Sequence, residues 1–272
     1  MIRKLVWIAG LFGVVAVSWA FAYGPLIPWS AVKPGYETLR LGRSEIVFPA
    51  GSVLDAAYLK TDEILNEAER FHKLKAHLRL RVVVCRTWED FGRFCPVVRG
   101  RGIGAVTLDT GNVIYMSPRI REKGLDATEF LRHEMSHAVA GQNASFLRLR
   151  SMKRHSWLYE GVPVWFGRQK SYVTQTEFLT RARNTDLWPV ITFDSNAANP
   201  PEIRFSYIAW RNFIDYLTQA RGADVFMRFY HAFMRSPDEV EQVFAAEYGK
   251  PLHEWVREFA REVDAGQFQP SE

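Results

Sequence analysis

The sequence predicts an α+β fold, in which a small mixed sheet is followed by a mostly helical C-terminal half. Two patterns support this class. Short runs rich in β-branched residues lie between residues 36 and 116, whereas from Asp126 onward apolar residues recur at helical spacing. The chain has 272 residues, of which 47% are hydrophobic and 24% charged. This ordinary globular composition excludes a disordered chain and a polytopic membrane protein.

Residues 1–23 are predicted to lie outside the globular fold. Arg3 and Lys4 precede an uncharged run, Leu5 to Tyr23, that is typical of a signal peptide or of a single N-terminal transmembrane anchor. Both alternatives stay open, because small residues near position 20 would permit cleavage while the length of the run suits a span. In either case we expect export, with the rest of the chain membrane-anchored outside the cytoplasm (periplasmic or extracellular), or secreted after cleavage.

The next part of the chain is expected to form the sheet. Residues 24–52 are interpreted as a linker and the first strands, and 53–268 as the main domain. The pattern predicts a strand pair within 36–49, a long amphipathic helix over 53–78, a strand over 80–84, a short helix or turn over 88–94 and a hairpin over 106–116.

The second half is expected to contain helices separated by one long loop at 185–204, where Pro and Asn accumulate. The predicted helices cover 126–140, 157–169, 174–184, 205–220, 223–235, 237–247 and 251–264.

Residues 133–137 read His-Glu-Met-Ser-His, an HExxH pattern. Histidines four residues apart lie on one face of a helix, so both Nε2 atoms can reach the same metal ion. Glu134 lies beside them, where its carboxylate can contact a metal-bound water. The pattern therefore predicts metal-assisted hydrolysis.

Glu160 is a lone acid within the apolar run 157–166, and a buried carboxylate needs a partner. It is either a third metal ligand or the partner of a nearby cation. The candidate cations are Arg148, Arg150, Lys153 and Arg154. Because Pro163 cannot donate a hydrogen bond to the carbonyl of Tyr159, we also expect a helix kink at Glu160.

The two segments HEMSH and WLYEG together resemble the gluzincin metallopeptidases, especially the bacterial peptidase MA-like family. The resemblance implies a zincin-like fold, one Zn²⁺ per chain bound by His133, His137 and Glu160, and an active-site helix that carries Glu134. It further implies zinc-dependent hydrolysis of peptide bonds in the cell envelope, by metal-activated water with Glu134 as general base.

The likeness extends more weakly to the segment that begins at Phe205. There Tyr207 corresponds to a family tyrosine that stabilises the oxyanion, although a packed aromatic residue is an equally simple interpretation. The hairpin 106–116 resembles the edge strand along which zincins bind substrate. The expected partners are thus a peptide or protein substrate and, through the N-terminal segment, a membrane.

Several alternatives stay open. The domain could be a non-catalytic zincin-like module that binds a peptide or an envelope partner. The basic stretch 143–156 is either a solvated loop or a contact for anionic lipid or an acidic substrate. Cys85 and Cys95 either form a disulfide or remain thiols. The net charge of +5 is too small to indicate nucleic acid as a partner.

Overall fold

The computed structural model describes residues 2–22, 26–30, 32–96, 102–170, 174–193 and 202–271. The chain divides into two compact units. The first unit comprises Met1–Asp62, Leu78–Leu108 and Asn112–Leu125, and the second comprises Glu63–His77, Asp109–Gly111 and Asp126–Glu272. The small sheet lies in the first unit and most helices lie in the second, which confirms the predicted α+β class.

The first unit contains a five-stranded mixed sheet. Its strands are β1 Tyr36–Arg40, β2 Ser44–Pro49, β3 Leu80–Val84, β4 Ala105–Thr107 and β5 Val113–Met116, in the spatial order β1-β2-β3-β5-β4. The pairs β2/β3 and β3/β5 are parallel, whereas the outer pairs β1/β2 and β5/β4 are antiparallel. The predicted strand pair, the third strand and the hairpin are all confirmed, and β4 is an edge strand.

The first unit also contains one long helix and several short ones. They are α1 Ile2–Ala22, α2 Ala56–Leu59, α4 Trp88–Phe94 and α5 Arg119–Glu122, and a 3₁₀ turn covers Ile27–Trp29. Ile27 is buried, so part of the predicted linker contributes to the apolar cluster of this unit. Among the described residues, no helix combines the length and the mean hydropathy that crossing a membrane requires.

Cys85 and Cys95 belong to the same apolar cluster. Both are buried thiols, so the structure contains no disulfide between them. Burial, helped by the negative charge of Asp90, raises the pKa of the Cys85 thiol well above its ordinary value. A raised pKa reduces the thiolate fraction and with it the reactivity of this cysteine.

The helix predicted over 53–78 is longer than the one observed. The structure has the short α2, then α3 Thr61–His72, followed by an irregular segment. Lys60 separates the two helices, and the hydroxyl of Thr61 donates to the carbonyl of Tyr58 at 2.6 Å. Lys73 then adopts a left-handed conformation, with φ 51°, and α3 ends there. Local hydrogen bonds and backbone geometry thus override the apolar periodicity.

The second unit is helical, as predicted. After α3 it contains α6 Ala127–Gln142, α7 Phe146–Met152, α8 Ser156–Tyr159, α9 Gly161–Gly167, α10 Gln175–Ala182, α11 Leu187–Ile191, α12 Ile203–Arg221, α13 Ala223–Arg235, a 3₁₀ turn Pro237–Glu239, α14 Val240–Tyr248 and α15 Leu252–Asp264. Its core is aromatic. The indole of Trp157 lies 5.5 Å from the ring of Phe213 and 5.9 Å from that of Phe229, measured between centroids.

Two helices lie in stretches for which the sequence indicated no helix. The basic stretch 143–156 contains α7, which begins at the cap residue Ser145 and buries Leu149 and Met152. The stretch 185–204 contains α11, in which the side chain of Asp186 accepts a hydrogen bond from the Trp188 amide. Residues 194–201 of that stretch lie outside the described residues. Both helices are short, and burial of one face stabilises helices of this length more than intrinsic propensity does.

Candidate metal centre

Helix α6 places His133 and His137 one turn apart. The helix begins where the side chain of Asp126 accepts a hydrogen bond from the Thr128 amide at 2.7 Å. The two imidazole centroids are 4.9 Å apart, and the two Nε2 atoms are separated by 3.1 Å. Both rings are largely shielded from solvent, with side-chain exposures of 6% and 10%. The predicted face of α6 therefore presents two nitrogen atoms to one point.

Glu160 lies at a break between two helices. It follows α8 and precedes α9, as expected from Pro163, and the predicted kink is thus confirmed as an interruption of the helix. The Glu160 amide still donates to the carbonyl of Ser156, and its carbonyl accepts from the Val164 amide. This geometry directs the carboxylate toward α6, where Oε2 lies 3.4 Å from Nε2 of each histidine.

Two of the four candidate cationic partners of Glu160 pair with other acids. The ammonium of Lys153 lies 2.5 Å from Asp109, and the guanidinium of Arg154 pairs with Asp238. The contacts of the Glu160 carboxylate are instead the two imidazoles and the hydroxyl of Tyr207, which donates to Oε2 at 2.9 Å.

Strong electrostatic coupling follows from this arrangement. Burial by itself raises the pKa of Glu160, but the charge of His137 and hydrogen bonds from both histidines outweigh it and hold the pKa well below its usual range. Burial lowers the pKa of His133, yet the hydrogen bond with Glu160 and the charge of Glu134 together raise it. The carboxylate is therefore the ionised form.

The three donor atoms fit a tetrahedral metal ion. Zinc bonds to nitrogen and oxygen are usually about 2.0–2.1 Å long. Two ligand atoms of a tetrahedral zinc site are therefore separated by about 3.3–3.4 Å. The observed separations are 3.1 Å between the nitrogens and 3.4 Å from each nitrogen to the oxygen. Of the described His, Cys, Asp and Glu side chains, this is the group of three that converges closely enough to hold a metal ion. Two imidazoles and one carboxylate suit zinc.

Glu134 and Tyr207 are both close to this group. Glu134 is buried, with 4% exposure, and its charge acts on the pKa of both His133 and Tyr159. The ring centroid of Tyr207 lies 6.3 Å from that of His133. The five residues singled out from the sequence, His133, Glu134, His137, Glu160 and Tyr207, thus lie in one neighbourhood.

Gln169 is a site residue that sequence reasoning missed. Its Oε1 lies 2.8 Å from Nδ1 of His133, and the side chain is only 1% exposed. A proton on Nδ1 donates to this oxygen and leaves the lone pair of Nε2 directed at the site. Metal-binding histidines almost always have such a second partner, but nothing in the sequence points to Gln169, because the contact spans 36 positions.

His72, to which the sequence assigned no role, packs behind α6. Its Nε2 lies 2.7 Å from the hydroxyl of Ser136 in the HEMSH segment. Burial, together with the charges of His231 and His137, lowers the pKa of His72 to about 3. His72 is therefore neutral at physiological pH and contributes packing and a hydrogen bond rather than charge.

The chain was compared with family models, curated proteins and solved structures. No family model and no curated protein matches the chain. Among solved structures, it is similar to an M1 zinc metallopeptidase from Deinococcus radiodurans, with TM-score 0.48, 14% identity and coverage of 86% of this chain and 52% of that one. A mutant M1 zinc metallopeptidase from the same organism gives TM-score 0.45, 14% identity and the same coverages.

A mutant two-domain M1 zinc metallopeptidase bound to L-arginine gives TM-score 0.43 and 14% identity, with coverage of 87% of this chain and 52% of that one. The chain thus spans about half the length of these solved structures.

Proposed function

We propose that this protein is a zinc-dependent peptidase of the cell envelope, which hydrolyses peptide bonds with His133, His137 and Glu160 as zinc ligands. The observation that carries the proposal is the convergence of two imidazole nitrogens and one carboxylate oxygen at separations of 3.1–3.4 Å. Three protein ligands are the number that catalytic zinc sites use, because the remaining position admits water or substrate.

Each residue has a distinct part in this proposal. Bound zinc would polarise the scissile carbonyl and acidify a water molecule. Glu134 accepts the proton of the attacking water and returns it to the leaving amine nitrogen. Its burial beside the ligands supports this role, since a carboxylate shielded from bulk solvent keeps the proton within the site.

Tyr207 is proposed to stabilise the oxyanion. Its hydroxyl lies 2.9 Å from Oε2 of Glu160, so it is within reach of groups that bind beside the ligands. A donor of this kind contributes roughly 10²–10³-fold to turnover in enzymes where it has been removed. In the absence of substrate the same hydroxyl orients Glu160.

The proposal is tested by the zinc-loaded full chain on a library of fluorogenic peptides, beside the variant Glu134→Gln. The amide cannot accept the proton, so we expect turnover to fall by about 10²–10⁴-fold. The zinc content should not change, because Glu134 is not a ligand. Tyr207→Phe should lower kcat by about 10²-fold at unchanged zinc content.

Glu129→Gln is the matched control, because it makes the same change on the same helix. Its carboxylate accepts a hydrogen bond from the Lys170 amide, and we expect wild-type turnover. Full activity of Glu134→Gln would refute the assigned base. Absence of any peptide hydrolysis by the zinc-loaded wild type would favour the peptide-binding module instead.

A further inference from the structure

A second concave feature of the helical unit carries a charge pattern that the proposed peptidase site does not use. It is a cavity of about 730 Å³ whose lining includes Arg70, Arg132, Arg168 and Arg211. We call it the arginine cavity. Its volume falls in the range of small-molecule sites, about 300–1,000 Å³. Two acids, Glu67 and Asp215, also line it, so the formal charge of the lining residues is positive.

The two acids are already engaged. Glu67 lies 2.6 Å from the guanidinium of Arg132. Asp215 accepts hydrogen bonds from the Ser271 amide at 2.6 Å and from the side chain of Gln219 at 3.0 Å. In the part of the chain that the structure describes, no acid lies within ion-pair distance of Arg70, Arg168 or Arg211.

Positive charge accumulates at Arg168 and Arg211. Arg211 donates one hydrogen bond, from Nη1 to the carbonyl of Gln169 at 3.1 Å. Burial lowers its pKa; the acids Asp215 and Glu129 oppose the shift, whereas the nearby charge of Arg168 adds to it. Two guanidinium groups that repel each other in a half-buried site would be stabilised by an anion between them.

The backbone at Arg168 is also unusual. It caps α9 in the left-handed conformation, with φ 50° and ψ 37°. Glycine is the usual residue at such a helix end, since any side chain there is strained. An arginine in this conformation is strained, and its exposed guanidinium lies at the rim of the cavity.

Three aromatic side chains, Phe71, Trp165 and Phe166, form another part of the lining. The ring of Phe71 lies 5.3 Å from that of Trp165 and 4.8 Å from that of Phe166, between centroids. The guanidinium of Arg132 lies 5.0 Å from the centroid of Phe166. The cavity thus joins an apolar aromatic surface to a set of forked cationic donors.

From these contacts we propose that the arginine cavity binds a phosphate ester with an apolar substituent. The planar forks of arginine match the oxygens of phosphate, and a dianionic ester balances the surplus of two positive charges among the lining residues. The apolar substituent would pack on Trp165 and its neighbours. Both a soluble phosphate monoester and the headgroup of phosphatidic acid, which is also a monoester, present this chemistry.

The test is calorimetric titration of the zinc-loaded full chain with phenyl phosphate and with inorganic phosphate. We expect saturable binding, tighter for phenyl phosphate. The variants Arg168→Gln and Arg211→Gln should each lower the affinity for phenyl phosphate at least tenfold. Arg204→Gln, an exposed position on α12 outside the cavity, should bind like the wild type.

Zinc also attracts phosphate, so the double variant His133→Ala/His137→Ala is titrated in parallel. Binding that persists in this variant, and is lost in the arginine variants, assigns the ligand to the arginine cavity irrespective of the metal site. Vesicles of phosphatidylcholine with phosphatidic acid distinguish the two sources. If the protein binds these vesicles and the binding depends on Arg168 and Arg211, the ligand is a lipid headgroup. If the protein binds the soluble ester but not the vesicles, the ligand is a soluble metabolite.

The proposal is overturned if the folded wild type binds neither phosphate probe. It is equally overturned if the two arginine variants, with unchanged circular dichroism, keep wild-type affinity.

Discussion

Gln169 sets the orientation of one proposed zinc ligand. It lies two residues beyond the end of α9, and its oxygen faces Nδ1 of His133 across 36 positions of sequence. The pair fixes which nitrogen of the imidazole carries the proton, and hence which one is available to a metal. Loss of such a partner typically weakens metal binding by about 10–100-fold.

We therefore expect Gln169→Leu to reduce zinc affinity by about 10–100-fold, measured by competition with a chromophoric chelator. Gln169→Glu keeps an acceptor oxygen and should restore most of the affinity. Gln175→Leu is the matched control, since Gln175 is also hydrogen-bonded, to Asn212, but touches none of the ligands. If Gln169→Leu binds zinc as tightly as the wild type does, Gln169 does not orient His133 for metal binding.

At the residue scale, how much the sequence reveals depends on how local each interaction is. His133 and His137 are predictable because four residues of helix bring them together, whatever the rest of the fold does. Glu160 was indicated by the partner that a buried acid needs and by the resemblance of its segment, although the residues alone left an arginine or lysine open as that partner. Gln169 has no such signal, because its contact with His133 is long-range and glutamine is common.

At the scale of elements, the break between α8 and α9 positions the third donor. Pro163 prevents a continuous helix, and Gly161 lets α9 approach α12 closely. A Cβ atom on Gly161 would lie 2.9 Å from Cβ of Trp210 and 3.1 Å from Cδ1 of Ile214. Since Trp210 is fully buried, neither helix can shift freely.

Gly161→Ala should therefore destabilise the protein by about 1–3 kcal/mol, the usual cost of overpacking a core. The midpoint of urea unfolding measures the change. Gly92→Ala is the control, because Gly92 lies inside α4 and a Cβ atom added there would have no neighbouring atom within 4 Å. We expect that control to be neutral or up to about 1 kcal/mol more stable. A Gly161→Ala protein as stable as the wild type would show that this helix contact is not tight.

Elements with a clear local pattern were predictable, and two short helices without one were not. The sheet strands β1, β2 and β3 follow from runs of β-branched and alternating residues. Helices α7 and α11, of 7 and 5 residues, were missed because their stability comes from tertiary burial rather than from local sequence. The helix predicted over 53–78 was too long for a related reason, because periodicity does not show where tertiary contacts end a helix such as α3.

At the scale of the whole molecule, the sequence predicted the α+β class and the change from sheet to helices. It did not predict the division into two units, because Glu63–His77 and Asp109–Gly111 group with distant helices rather than with their chain neighbours. Such grouping depends on long-range contacts, which a single sequence does not reveal.

We propose, from residues 1–23 alone, that the chain is exported. A C-terminal epitope tag should then be digested by protease added to bacterial cells whose outer envelope has been opened. The variant that lacks residues 2–22 should keep its tag until the cells are lysed. Protection of the full-length chain before lysis would contradict export. Intact mass of the purified protein then distinguishes a cleaved signal from an anchor.

The central claim is that His133, His137 and Glu160 bind zinc, and elemental analysis of the purified full chain tests it most directly. The chain is stripped with a chelator, supplied with zinc and freed of excess metal, beside His133→Ala/His137→Ala. We expect about one zinc per chain in the wild type and almost none in the variant, as three convergent ligands require. The claim is contradicted if the folded wild type retains no zinc, or if the variant retains as much.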